Sequence, residues 1–108
     1  MEAKWIPIAR SNEIPEGEVR TYEIGPHWIA LCRVREEGFY AVEDLCPHDT
    51  GPLGDGELDG HEIVCPRHGA RFDVRTGEVL CPPALRDIRN YPVKVENGQV
   101  FVELEGDG

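Results

Sequence analysis

Two short segments constrain this chain more than anything else in it: Cys46-Pro47-His48 and Cys65-Pro66-Arg67-His68. Each carries one thiol and one imidazole within three or four positions, and sixteen residues separate His48 from Cys65. Such short spacing lets one tight loop aim two donors at a common point. Whatever the fold, it has to bring two such loops together. Proline after each cysteine stiffens its loop. Gly69, after His68, is read as allowing close backbone approach. Cys46, His48, Cys65 and His68 are therefore the candidate metal ligands. Zinc accepts two Cys and two His in a tetrahedron, so the donor set alone leaves zinc open. Against zinc, its sites usually pair Cys with Cys and His with His, whereas each segment here mixes the two.

The rest of the chain bounds the setting. Its 108 residues are read as one domain, 1–108, of a size that buries about two-thirds of its unfolded surface. An apolar fraction of 40% is that of an ordinary globule. No apolar run approaches the roughly 20 residues of a membrane helix, so no membrane partner is expected. Met1 to Arg10 lacks the basic start, long apolar stretch and cleavage site of a signal peptide, which predicts a cytoplasmic protein. Without a secretion signal, the four cysteines point to metal or redox use rather than disulfides. The formal net charge of −10 argues against nucleic acid. Its acidic residues are spread along the chain as far as Asp107 and read either as a solvated surface or as a docking face for a basic partner.

Strand signals are frequent and short. Glu18 to Ile24, Trp28 to Arg35 and Phe39 to Glu43 are predicted as strands separated by Gly25-Pro26 and Glu36-Glu37-Gly38. Alternation puts Trp28, Ala30, Cys32 and Val34 on one face. Val93 to Glu96 and Gln99 to Leu104 flank Asn97-Gly98, a strong two-residue hairpin signal. Glu105 to Gly108 are expected to fray, and a helical turn capped by Ser11 is possible over Ser11 to Ile14. Residues 45–83 differ, being dense in Gly, Pro, Cys and His. Short strands are predicted there at Glu62 to Val64, Arg71 to Val74 and Glu78 to Leu80, with Gly77 in a turn. This reads as a loop-rich subdomain inserted into an antiparallel β-structure. Cys32 and Cys81 are read as packing residues, His27 and His61 as surface, and Trp5 and Trp28 as core or edge packing.

C-x-H, sixteen residues, then C-x-x-H resembles the pattern of the Rieske [2Fe–2S] family. The likeness extends past the ligands. Residues 46–56, from Cys46 to Gly56, look like the family's first ligand loop. Cys65 to Asp73 look like the second, and Gly77 to Leu80 with Pro82-Pro83-Ala84 are similar to the segment that shields the cluster. The resemblance implies an all-β, Rieske-like antiparallel β-sandwich with an inserted cluster-binding subdomain, and one [2Fe–2S] cluster. Cys46 and Cys65 would bind one iron, and His48 and His68 the other. High-potential members carry an extra Cys in each loop, where this chain has Gly51 and Arg67, and a Ser and a Tyr where it has Ala70 and Phe72. The implied protein is a low-potential ferredoxin, an electron carrier rather than an enzyme. It would pass single electrons from a flavin-dependent reductase to a terminal oxygenase or other redox acceptor, through transient contacts near His48 and His68. Two other functions fit less closely: a small subunit of a nitrite reductase or other redox complex, and a zinc-stabilised binding module.

Overall fold

The computed structural model describes residues 3–46, 51–67, 69–82 and 86–105. Among them the chain forms three antiparallel sheets. The central sheet runs β2 (Val19–Ile24), β3 (His27–Val34), β4 (Gly38–Glu43) and β9 (Asn90–Tyr91). On one side lies a sheet of β1 (Ala3–Arg10), β11 (Gln99–Glu105) and β10 (Val93–Glu96). On the other lies a small sheet of β5 (Glu57–Asp59), β6 (Glu62–Val64), β7 (Arg71–Asp73) and β8 (Val79–Cys81). The expected antiparallel β-architecture is what the chain adopts. No helix among the described residues is long and apolar enough to cross a membrane.

The central sheet is buried on both faces, and this explains its composition. Ile29, Leu31 and Ala41 face one core with Val100, Val102 and Leu104 of β11. Ala30, Cys32, Val34 and Val42 face a second core with Leu53, Ile63, Phe72 and Val74. Four successive residues of β3, Ile29 to Cys32, are therefore buried, where alternation predicted one buried face. Trp28 departs from that prediction. It stands at the start of β3, beyond the covering layers, and is 53% exposed. Trp5 is also largely outside the cores, with the Lys94 ammonium 4.7 Å from its ring centroid.

Local sequence explains most boundaries. Asn97 and Gly98 have φ of 53° and 77°, the paired positive values of a tight hairpin turn. β1 carries Pro7 in mid-strand, which is tolerated because β1 is an edge strand with a register shift between Pro7 and Ala9. The turn at Ser11–Glu13 is a short 3₁₀ segment. Its cap differs from the predicted one: the Glu13 carboxylate accepts from the Arg10 N–H at 3.1 Å, and Ser11 is the first helical residue. Glu105 pairs with Ala3 at the end of β11 rather than fraying, and the last three positions lie outside the described residues.

A candidate metal centre between two loops

The two predicted ligand segments leave the second core from different strands. β4 ends at Glu43, and Asp44-Leu45 lead into Cys46. β6 ends at Val64, and Cys65 follows directly. Cys46 and Cys65 are 0% and 1% exposed and belong to one buried cluster. The fold thus brings together two thiols that are nineteen positions apart in sequence. His48 and His68 lie outside the described residues, as do Pro47, Asp49, Thr50, Pro83 and Ala84.

Each loop is closed by its own backbone. The Cys46 N–H donates to the Gly51 carbonyl at 2.8 Å. The Cys65 N–H donates to the Ala70 carbonyl at 2.8 Å, and the Gly69 N–H returns to the Cys65 carbonyl at 3.0 Å. Gly69 has φ +77° and open space where a β-carbon would stand, so its glycine answers a left-handed turn rather than the predicted close approach. Close approach occurs at Gly51 instead. A β-carbon there would stand 2.6–2.8 Å from the Arg67 guanidinium atoms, so Arg67 of the second loop lies against the first. Positions 51 and 67 are thus neighbours in space.

The surroundings are apolar. Leu53, Ala70 and Phe72 are each 0% exposed and belong to the same buried cluster as the two cysteines. Two carboxylates interrupt this. Asp44 is buried and accepts from the Leu53 and Gly54 N–H groups at 2.8 and 2.6 Å. Asp73 ends β7, and its carboxylate accepts from Arg75 Nε and Nη2 at 3.1 and 3.0 Å and from the Arg75 N–H at 2.9 Å. The Arg75 hydrogen bonds hold the Asp73 carboxyl below its ordinary range. Neither acid stood out in the sequence as a structural acceptor. The signal for Asp44 was its place directly before a loop rich in glycine, whose N–H groups need acceptors.

The remaining candidates sort by environment. Cys32 is wholly buried, as expected of a packing residue, and burial pushes its thiol up. Cys81 is half-buried in β8, and none of the four cysteines forms a disulfide. His61 is half-buried, with Nε2 3.9 Å from Asp73 Oδ2. His27 is half-buried rather than exposed, its ring edge-on to Tyr91 at 6.1 Å. An open groove of about 860 Å³ beside the first loop is lined in part by Trp28, Leu45, Pro52, Arg86 and Tyr91.

Two buried thiols at the mouths of adjacent, internally closed loops fit a soft metal centre needing thiolate ligands. Among the described residues no group of three or more metal-ligating side chains forms, and both candidate histidines lie outside them. Comparison with known proteins narrows the chemistry. Residues 4–92 match the Rieske [2Fe-2S] domain. The ferredoxin component of the naphthalene 1,2-dioxygenase/salicylate 5-hydroxylase systems of a Ralstonia species is 45% identical over 105 residues, covering 97% of this chain and all of that protein. The ferredoxin of carbazole 1,9a-dioxygenase from Nocardioides aromaticivorans IC177 superposes with a TM-score of 0.86 at 28% identity, over 92% of this chain and 96% of its own. A chain in a complex of reduced oxygenase and oxidized ferredoxin in carbazole 1,9a-dioxygenase aligns with a TM-score of 0.83 at 34% identity, over 91% of each.

Proposed function

The chain belongs to the Rieske [2Fe–2S] domain family, and from that premise we propose that Cys46, His48, Cys65 and His68 hold its cluster. The cysteines bind one iron as thiolates and the histidines bind the other through ring nitrogens. Residues 45–83 are the unit that binds it within the single domain 1–108. The protein carries one [2Fe–2S] cluster and works as an electron carrier of a dioxygenase system, taking electrons from a reductase and delivering them to a terminal oxygenase. It is a component of catalysis by others rather than an enzyme. Its place of work is the cytoplasm, in keeping with relatives that are components of aromatic dioxygenase systems.

The observation that carries the ligand assignment is the convergence of Cys46 and Cys65 in one buried cluster. When bound, the group supplies a one-electron couple whose potential depends on ligand charge and on hydrogen bonds to sulfur. The protein's part is to hold and shield it. Backbone hydrogen bonds fix the cysteine-bearing turns. Leu53, Ala70 and Phe72 keep water from the thiolate side. Neither Ala70 nor Phe72 offers a hydroxyl to sulfur, which favours a potential near the lower end of the roughly −150 to +300 mV Rieske range.

Metal and sulfide analysis of the purified chain tests the reading. Two irons and two acid-labile sulfides per red-brown chain are expected. Cys46→Ser and Cys65→Ser are each expected to abolish the visible spectrum. A colourless protein holding one zinc would overturn the assignment.

A further inference from the structure

Asp44 is 6% exposed and stands two residues before Cys46. Its N–H donates to the Trp28 carbonyl at 2.9 Å, which fixes it to β3. Its Oδ1 then accepts from Leu53 and Gly54, on the return limb of the first loop. The chain between is closed by the Cys46 to Gly51 hydrogen bond. Asp44 therefore ties the far limb of the loop to the rigid central sheet. Space around this tie is tight: a β-carbon at Gly54 would overlap Thr21 Oγ1 and come within 3.3 Å of Asp44 Oδ1.

Burying a carboxylate is costly unless its charge is answered. Two N–H donors satisfy hydrogen bonding but leave the net charge in place. Among the described residues, no Lys or Arg forms an ion pair with Asp44. Burial, and after it the nearby Asp44 carboxylate, push the Cys32 thiol up. Cys32 shares one core with Cys46 and Cys65. A more economical loop anchor would be a neutral Asn or Ser, which supplies an acceptor without a charge.

We propose that Asp44 is a positioning residue of the electron-transfer centre, clamping the first ligand loop and, through its retained negative charge, disfavouring the added electron. This rests on the assignment of Cys46 as a ligand. The two roles separate experimentally in the cluster-loaded protein. Asp44→Asn keeps an acceptor oxygen and removes the charge, so its midpoint potential is expected to shift upward. Asp44→Ala removes the acceptor as well. Hydrogen–deuterium exchange over 51–56 is then expected to speed up by about tenfold or more, the equivalent of hydrogen bonds to a charged group.

An unchanged or lowered potential in loaded Asp44→Asn overturns the electrostatic role. Unchanged exchange in Asp44→Ala overturns the clamp. If Asp44→Asn does not retain the cluster, Asp44→Ser, which likewise keeps an acceptor oxygen without a charge, takes over the potential measurement. A rise supports the proposal, and no change overturns it. Iron and sulfide content of the unmutated protein keeps the two readings apart. An unloaded wild type refutes the cluster assignment, whereas a loaded wild type with unresponsive variants refutes only the role of Asp44.

Discussion

Ala70 and Phe72 are both wholly buried, and the Ala70 carbonyl receives the Cys65 N–H. A hydroxyl introduced at either position has to find a partner inside the protein, because an unsatisfied buried donor is costly. If that partner is cluster sulfur, the reduced state gains more than the oxidised one. Ala70→Ser and Phe72→Tyr are thus each expected to raise the midpoint potential by on the order of 50 mV, the one-electron equivalent of a hydrogen bond of about 1 kcal/mol. Protein-film voltammetry reads this directly. A destabilised protein at unchanged potential would mean that the hydroxyl points elsewhere. The residues that carry this argument were legible in sequence because they lie at fixed offsets from the proposed ligands. Asp44 was not, since an acid that anchors a loop looks like the many that merely face water. Trp28 was misread for a related reason: period-two alternation says which face a residue takes, not whether another layer extends far enough to cover it.

Among the elements, β2, β3, β4 and the final hairpin were readable because each is a run of strand formers bounded by turn residues. β1 was hidden by Pro7, which argues against a central strand and not against an edge. β5 has the polar sequence Glu57-Leu58-Asp59 and β9 is only Asn90–Tyr91, so pairing rather than local preference makes them strands. The hairpin gives a clean test. Gly98 has φ +77° and nothing nearer than Ser11 Oγ at 4.0 Å from a built β-carbon. Gly98→Ala therefore pays only backbone strain, about 1 kcal/mol, visible as a lower thermal midpoint with an unchanged cluster spectrum. The turn after β7 gives a second. The Asp73 carboxyl, with an ordinary value of 3.8, is held lower in the fold by Arg75. Its stabilisation is complete above the unfolded value and is lost as pH falls through the folded one. The stability gap between wild type and Asp73→Asn should hold near neutral pH and shrink below about 3.8, as a pH series of thermal midpoints would show. A gap independent of pH would mean that Asp73 acts by shape rather than charge.

At the scale of the whole molecule, local attraction and global repulsion compete. Several ion pairs bridge the surface, such as Arg71 to Asp59 at 2.9 Å and Arg20 to Glu18 at 2.8 Å. Exposed pairs of this kind contribute about 0–1 kcal/mol each and weaken with salt. Against them stand 21 acidic residues and only 11 Lys and Arg, a surplus of ten negative charges. The molecule measures 37 × 34 × 18 Å. At 0.01 M salt the screening length is about 30 Å, so carboxylates on opposite faces still repel; at 0.15 M it is about 8 Å and only near neighbours interact. Adding salt therefore removes far more repulsion than attraction. The thermal midpoint, measured at one scan rate on the loaded protein, should rise between 0.01 and 0.15 M NaCl. A fall would show that the surface pairs outweigh the charge surplus. The same surplus bears on function, because a long-range negative field speeds encounter with a positively charged docking site and slows it with a negative one. Stopped-flow electron transfer over the same salt series distinguishes the two. A rate that falls while the midpoint rises would identify a partner with a basic docking face, and would show that the charge which burdens the fold assists the encounter.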